Sequence, residues 1–298
     1  MIEPVESTVR ANGLAHRVLT WGADPGRPLV LAHGYLDHAW SFHFVAQSLV
    51  HAGRRVVAFD WRGHGESERV GAGGYYHFTD YVLDLSELMP QLAPEGYDLL
   101  GHSMGGTACA MFAGTRPAGL RTLVLCEGFG PPTSPPESLA DRLTAFVDSV
   151  ARERARQAAP SRPMADLDDA MRRLRVQHPG LPDAPARFLA EKGTRPRGTG
   201  REWCFDPLHR TTSPVPFQRE GLMSLLARIE VPTLSVRGAR GFATEDHAER
   251  LASLRDVREV VLDDAGHMMH WEAPEALAAA LVAHTSSGPQ PGANPSER

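Results

Sequence analysis

A chain of 298 residues with 42% hydrophobic side chains is long enough to bury one large core with room for an insertion, and no internal repeat divides it. Its formal net charge of −5 gives no reason to expect nucleic acid or an anionic membrane as partner. No run of about 18 apolar residues offers a spanning helix, no secretory signal marks the N-terminus, and a cytoplasmic location is expected.

Three cysteines, Cys109, Cys126 and Cys204, are odd in number and lack Cys-x-x-Cys spacing, so neither a disulfide framework nor a zinc site is indicated. In chain order, segments 7–11 and 15–21 alternate around Asn12-Gly13, a hairpin turn signal, which predicts an antiparallel start. The apolar runs 28–32 and 55–59 follow, with helical spacing over 40–52 between them. The first run ends at His33-Gly34-Tyr35, the second at Asp60-Trp61-Arg62-Gly63-His64-Gly65-Glu66-Ser67. Apolar runs alternating with helical segments indicate a parallel sheet covered on both faces. A helix with Thr79 as N-cap is expected to reach Pro90 and feed the apolar strand that begins at Tyr97.

That strand turns into a helix at Gly101-His102-Ser103-Met104-Gly105. A serine at such a corner needs a strained backbone, and side chains two residues before or after it would collide; Gly101 and Gly105 remove them. The turn lifts the Ser103 hydroxyl above the sheet edge, and the Met104 amide opens the following helix toward any developing oxyanion. Alone the pattern is weak, because tight glycine turns also serve as plain connections.

A small-residue helix over 107–115 is stopped at Arg116-Pro117, and the strand 120–126 ends at Glu127-Gly128. From Phe129 the alternation breaks. The insertion 129–217 is expected to hold helices over 136–157, 166–177 and 184–191 and an irregular stretch over 193–216, with Phe146, Phe188, Trp203, Phe205 and Phe217 as candidates for its underside. Alternation resumes with a helix over 218–229, a strand over 232–236, a helix over 244–254 and a strand over 258–262 that leads to Gly266-His267. A last helix begins near Pro274 and ends around His284. The chain thus divides into a core of 1–128 and 218–284, the insertion, and a Ser-, Pro- and Gly-rich tail 285–298 expected to be disordered.

Residues that follow parallel strands share the carboxyl edge of the sheet, where ligands bind. His33-Gly34-Tyr35, the turn 60–67, the elbow 101–106 and Gly266-His267 all fall there, with Ser before His in the chain. This arrangement resembles the α/β-hydrolase fold superfamily, specifically its lidded, serine-hydrolase-like bacterial members, over about 7–284. The resemblance implies an α/β fold, a mostly parallel sheet with helices on both faces, and a helical lid formed by the insertion. It implies that Ser103 is the nucleophile and His267 its base, with His270 the nearest competitor, and that the backbone amides of Tyr35 and Met104 form an oxyanion hole. His33 and His64 read as residues that orient loops, and Asp60 as a loop-ordering carboxylate. Neither cofactor nor metal is expected.

The acid is less plainly marked. Many relatives place an Asp in a Gly-x-x-Asp pattern after the strand that corresponds to 232–236, but here Gly238-Ala239-Arg240 is followed by Gly241. Glu127, which follows the strand after the nucleophile helix, is favoured; its plain alternative is to anchor the start of the insertion. Glu245 and Asp246 are the other candidates, although both suit the first turn of a helix. Phe129, Phe146 and Trp203 are expected to set substrate access. The implied activity is cleavage of an ester, thioester or lactone of a medium-sized, mainly apolar small molecule through an acyl-serine. A cyclase or acyltransferase with the same residues, and a slow or non-catalytic ligand receptor, are the alternatives. The oligomeric state is not legible.

Overall fold

The computed structural model describes residues 2–23, 26–132, 139–158 and 163–286. β1 (Val5–Ala11) and β2 (Leu14–Trp21) form the antiparallel start, turning at Asn12 and Gly13, whose φ values of 47° and 76° are the left-handed pair that a two-residue hairpin requires. β3 (Leu29–Ala32), α1 (His43–His51), β4 (Val56–Phe59), α2 (Phe78–Leu92), β5 (Tyr97–His102), α3 (Met104–Ala113) and β6 (Leu120–Cys126) then alternate. The inserted residues supply α4 (Leu139–Ala158), α5 (Leu167–Gln177), α6 (Asp183–Gly193) and a ribbon of β7 (Thr194–Arg197) and β8 (Gly200–Trp203). The core resumes with α7 (Arg219–Leu226), β9 (Thr233–Gly238), α8 (His247–Ala252), β10 (Val257–Leu262), α9 (Met269–Glu272) and α10 (Pro274–Ser286).

The main sheet has the order β1-β2-β4-β3-β5-β6-β9-β10, with β2 antiparallel to both neighbours and the other pairs parallel. β3, β4 and β5 are buried at every position, which is why β3 and β4 read as unbroken apolar runs, while β5 carries the buried Asp98 and His102 among its apolar residues. Successive side chains still take opposite faces. Val30, Ala32 and Leu99 pack with Leu85 of α2, Phe112 of α3 and Leu226 of α7. Leu29, Leu31 and Leu100 pack with Leu49 of α1 and Leu281 of α10. Helices therefore cover both faces, as expected for an α/β-hydrolase fold.

Several boundaries differ from the sequence reading. α2 is capped by His77, whose amide donates to the Asp80 carboxylate at 3.1 Å, and Thr79 lies inside the helix. Pro90 lies inside it too, two residues before its end: it removes an amide and crowds the carbonyl one turn back, but the buried Leu88 and Met89 hold the last turn against the core. The stretch 193–216 is not wholly irregular, since it contains the β7–β8 ribbon, turning at Gly198 (φ 57°), and a 3-10 turn over Pro207–Arg210. Its strands are polar, so no apolar alternation announces them. Helix 244–254 shrinks to α8. The start of the helix expected from Pro136 and the tail from 287 onward lie outside the described residues, whereas Thr285 and Ser286 belong to α10. No helix among the described residues is long and apolar enough to cross a membrane.

A buried carboxylate ties the sheet to the last helix. Asp98 on β5 accepts from Arg27 Nε (3.0 Å), Arg54 Nη2 (2.7 Å) and Thr122 Oγ1 (2.8 Å). The same arginines reach the carbonyl (3.1 Å) and hydroxyl (2.7 Å) of Thr285. Asp98 is fully buried, so removing it leaves two guanidinium groups without their counter-charge. Asp98→Ala is expected to lower the unfolding free energy by about 3–5 kcal/mol in urea denaturation. A loss below about 1 kcal/mol would show that the arginines re-solvate without penalty.

Candidate active site

Ser103 links β5 to α3 at φ 53°, ψ −119°, a conformation that a side-chain-bearing residue holds only where its surroundings impose it. Its amide donates to Cys126 O (2.9 Å) and its carbonyl accepts from Thr107 N (3.1 Å), which fixes both sides of the turn. A Cβ on Gly101 would lie 2.5 Å from Gly105 O, and one on Gly105 would lie 2.4 Å from the carbonyl oxygens of Ala32 and His33. The elbow is thus seated against the end of β3, with Gly34 beside the Ser103 side chain. Met104 is the first residue of α3, so its amide has no intrahelical acceptor. Among the described residues neither that amide nor that of Tyr35 donates to a backbone carbonyl, and both residues line the same cavity as Ser103.

His267 lies in the turn after β10, with Nδ1 2.6 Å from Glu127 Oε2. The Glu127 side chain is 1% exposed and also accepts from Gly238 N (2.9 Å) and Phe242 N (2.8 Å). An acceptor so occupied calls for a hydrogen on Nδ1, which leaves Nε2 as the basic nitrogen. His267 and Ser103 together line two cavities, and the His267 carbonyl is held by His102 Nε2 (2.8 Å). No hydrogen bond joins Ser103 Oγ to His267 Nε2 among the described residues; such contacts commonly tighten when substrate binds.

Glu127 reaches His267 through an exchange of space with Gly241. Glu127 follows β6 at φ 47°, and a Cβ on Gly241 would lie 1.7 Å from Glu127 Oε1. The residue that lacks an acid at the commoner position thereby makes room for the acid arriving from β6. Glu245 and Asp246 are not brought to His267. Asp246 accepts from Arg219 Nε (2.7 Å) and Arg250 Nε (2.9 Å). Burial alone would raise its carboxyl, but the hydrogen bonds from Arg250 and Arg219 outweigh that and hold it well below the usual carboxylate range. Glu245 lines a separate cavity with Asp246.

His270 is buried beside Phe42, with Nε2 3.6 Å from Asp37, and lines neither cavity beside Ser103. Asp37, His102 and His270 each offer one potential ligand atom within 4.8 Å of the others, the donors a transition metal would find here. His33 and His64 behave as loop-orienting residues. His33 Nδ1 donates to Gly34 O (2.8 Å) and Nε2 accepts from Trp61 N (3.1 Å). His64 Nδ1 donates to Arg62 O (3.1 Å) and Nε2 accepts from Leu36 N (3.3 Å). Asp60 orders its turn by accepting from Arg17 Nε (2.7 Å), Ala39 N (2.7 Å) and Glu66 N (2.9 Å).

The larger cavity at Ser103, about 590 Å³, is walled by Tyr75, Tyr76, Phe78, Tyr81, Met104 and Leu208. The second, about 420 Å³, includes Leu174, Gln177, His178, Leu189, Trp203 and Trp271. Of the expected access residues, Trp203 lines the second cavity, and Phe146 backs Tyr75 at a ring distance of 4.9 Å. Phe129 does neither. It is buried in the core against His247, because the chain leaving Glu127 turns inward before the insertion begins. Phe188 and Phe217 also pack into the core clusters.

Sequence reasoning assigned no role to His209 or to Asp206. Tyr35 Oη donates to His209 O (2.9 Å), and Asp206 accepts from Tyr76 Oη (2.9 Å) and Leu208 N (3.0 Å) while its amide donates to Gly63 O (2.7 Å). The signal was present in Asp206-Pro207, an acceptor preceding a proline at the first position of a helical turn.

Residues 27–274 match the family model described as alpha/beta hydrolase fold. A serine hydrolase-like protein of Danio rerio is 25% identical over 88% of this chain and 82% of its own length. A monoacylglycerol lipase of Mycolicibacterium smegmatis is 33% identical over 60% of this chain and 67% of its own. Among solved structures, a thioesterase domain from the curacin biosynthetic pathway superposes with a TM-score of 0.80 and 26% identity, covering 94% of this chain and 99% of that one.

The histidines around the site make stability depend on pH. Burial holds His33, His38, His64, His102, His178 and His209 below the ordinary imidazole value, His209 down to about 3. Above the unfolded value near 6.5 both states are neutral there, and the full stability is present. Below it only the unfolded chain takes up protons, so stability falls with pH. The Tm at pH 5 is expected at least about 5 °C below that at pH 7. An equal or higher Tm at pH 5 would mean that these rings are already charged in the folded protein.

Proposed function

This chain belongs to the alpha/beta hydrolase fold family, and from that premise we propose that it cleaves an ester, thioester or lactone of a medium-sized, mainly apolar molecule through an acyl-serine on Ser103. The carrying observation is the meeting of Ser103 and the Glu127-bound His267 at one mainly aromatic cavity. The similarity to a monoacylglycerol lipase and to a thioesterase domain supports an acyl substrate of either leaving group.

In this reading His267 Nε2 removes the Ser103 proton as Oγ bonds to the carbonyl carbon, and the carbonyl electron pair moves to oxygen. The amides of Tyr35 and Met104 hold that oxyanion. As the carbonyl reforms, the bond to the leaving group breaks, and the alcohol or thiol departs with the proton from His267. Water then attacks the acyl-serine, giving its proton to His267; collapse releases the acid and returns the proton to Ser103. Glu127 keeps the imidazole in the required tautomer and stabilises its transient positive charge. The insertion 129–217 acts as a lid that selects the acyl group. The second cavity at Ser103 favours one further reading, delivery of the acyl group to an internal or external nucleophile instead of water, which product analysis separates from hydrolysis.

A serine-directed phosphonate is expected to add one adduct to the wild type and none to Ser103→Ala, and His267→Ala to slow acylation by orders of magnitude. Labelling of Ser103→Ala to the same extent would remove the serine from its role.

The acid has its own test. Glu127→Gln is expected to reduce turnover at least about a hundredfold near pH 7 in a folded protein. Combining Glu127→Ala with Gly241→Asp should recover about tenfold or more over Glu127→Ala alone, since the new carboxylate enters the vacated space. A folded Glu127→Gln enzyme of near-normal activity, beside an inactive variant at Glu245 or Asp246, would move the acid to the later loop.

A further inference from the structure

A third cavity, of about 370 Å³, shares Trp203 in its wall with the second cavity at Ser103. Its wall carries Arg69, Arg156, Arg173, Arg197, Arg201 and Arg210 against a single carboxylate, Glu202. The cavity is therefore a locally positive concavity in a chain whose net charge is −5, a lining that favours an anionic ligand.

Neighbouring acids only partly neutralise the cluster. Arg156 pairs with Glu153 (2.7 Å), Arg173 with Asp169 (3.1 Å) and Arg197 with Glu202 (2.6 Å). The other three make their closest contacts with neutral groups, although the Arg210 charge also acts on Glu153. Arg69 Nη2 donates to Phe205 O (3.2 Å), and Arg201 donates to Thr194 Oγ1 (2.7 Å) and Thr194 O (2.9 Å). The Arg210 guanidinium lies 4.7 Å from the centre of the Phe205 ring. None of these three is in an ion pair with a carboxylate among the described residues. Arg201 is fixed by two hydrogen bonds, the kind of pre-orientation that lets a planar guanidinium meet phosphate oxygens in pairs. Trp203 and Phe205 stack at 6.3 Å and 12° between ring planes, a flat wall within the same cavity.

Gln177 and Trp203 line both this basic cavity and the one that contains Ser103 and His267. From this juxtaposition we infer that the arginine cavity binds the phosphate groups of an acyl thioester's leaving group, while the thiol-bearing arm passes Trp203 to place the carbonyl at Ser103. The inference rests on the acyl-serine reading above and narrows its substrate to phosphate-bearing thioesters. The recognised chemistry is shared by the single phosphate of a phosphopantetheine arm and by the nucleotide phosphates of coenzyme A. The released thiol keeps the phosphates, and the acyl group leaves Ser103 by hydrolysis.

One octanoyl group carried on pantetheine, on phosphopantetheine and on coenzyme A tests this with the full chain. The expected result is a kcat/KM at least about tenfold higher for a phosphate-bearing thioester than for the pantetheine thioester, expressed mainly in KM and shrinking as salt rises. A gain already present with phosphopantetheine assigns the cavity to the phosphate on the arm; a gain only with coenzyme A assigns it to the nucleotide phosphates. Arg210→Gln, which removes an exposed guanidinium, and Arg201→Gln should each collapse the ratio toward one. A ratio near one in the wild type, unmoved by salt or by either variant, overturns the inference. If the pantetheine thioester is then still cleaved in a Ser103-dependent way, the acyl-serine reading survives without it. Calorimetry of free coenzyme A on Ser103→Ala reads the cavity without turnover: saturable binding weakened about tenfold by Arg210→Gln supports it, and no binding overturns it, even in an enzyme that cleaves none of these thioesters.

Discussion

Close approach of backbones around Ser103 is the constraint on which the site depends. A serine at φ 53°, ψ −119° would relax into an ordinary strand or helix end unless both flanks were pressed into place. Gly101 meets Gly105 and Gly106, Gly105 meets the end of β3, and Gly106 meets Gly128 with its hypothetical Cβ 2.6 Å from the Gly128 Cα. Glycines here serve contact more than flexibility, because none of these four has a positive φ. The same packing seats α3 across β3 and β6 and fixes Gly128, the residue after Glu127. The strained serine and the placement of the acid are thus two consequences of one close-packed junction.

From that junction the acid's route follows. Glu127 leaves β6 at φ 47°, so its carboxylate turns toward β9 and lies where a side chain at Gly241 would otherwise be. Two backbone amides and the imidazole share its lone pairs, and almost none of it meets solvent. A carboxylate held this way costs little further reorganisation when the imidazole becomes charged. Asp246 is held as firmly, but by arginines, and its charge is already committed.

The fold was legible because its signals are local and redundant. β3 and β5 are short, mainly apolar runs ending at the glycine-rich turns that hold the site, and Ser103 and His267 follow strands whose parallel pairing places them on one edge. Glu127 was legible through a negative sign, the glycine at 241, although the spatial exchange between the two could not be read along the chain. The insertion resisted for physical reasons. β7 and β8 are polar strands paired with each other and, through Arg201, with Met164, and Phe129 looks like a lid residue by position while its surroundings draw it into the core. His209 gave no pattern at all, since its role depends on rings that are distant in sequence: Tyr76 stacks on it at 3.8 Å and His64 lies at 4.0 Å.

That last cluster joins the insertion to the chemistry. Tyr35, whose amide is a proposed oxyanion donor, donates its hydroxyl hydrogen to the His209 carbonyl, and the His209 ring rests on His64, whose own Nε2 accepts from the amide of Leu36. Displacing the turn Pro207–Arg210 would therefore pull on the loop that carries one of the two proposed oxyanion donors. The rings involved stay neutral because burial depresses them, so they transmit position without adding positive charge near His267. His267 itself is partly exposed and bonded to the buried Glu127 carboxylate. If the insertion selects the acyl group and the amides of Tyr35 and Met104 hold the oxyanion, as proposed, the two are linked through this turn, and substrates that seat the insertion poorly should be penalised in turnover as well as in binding.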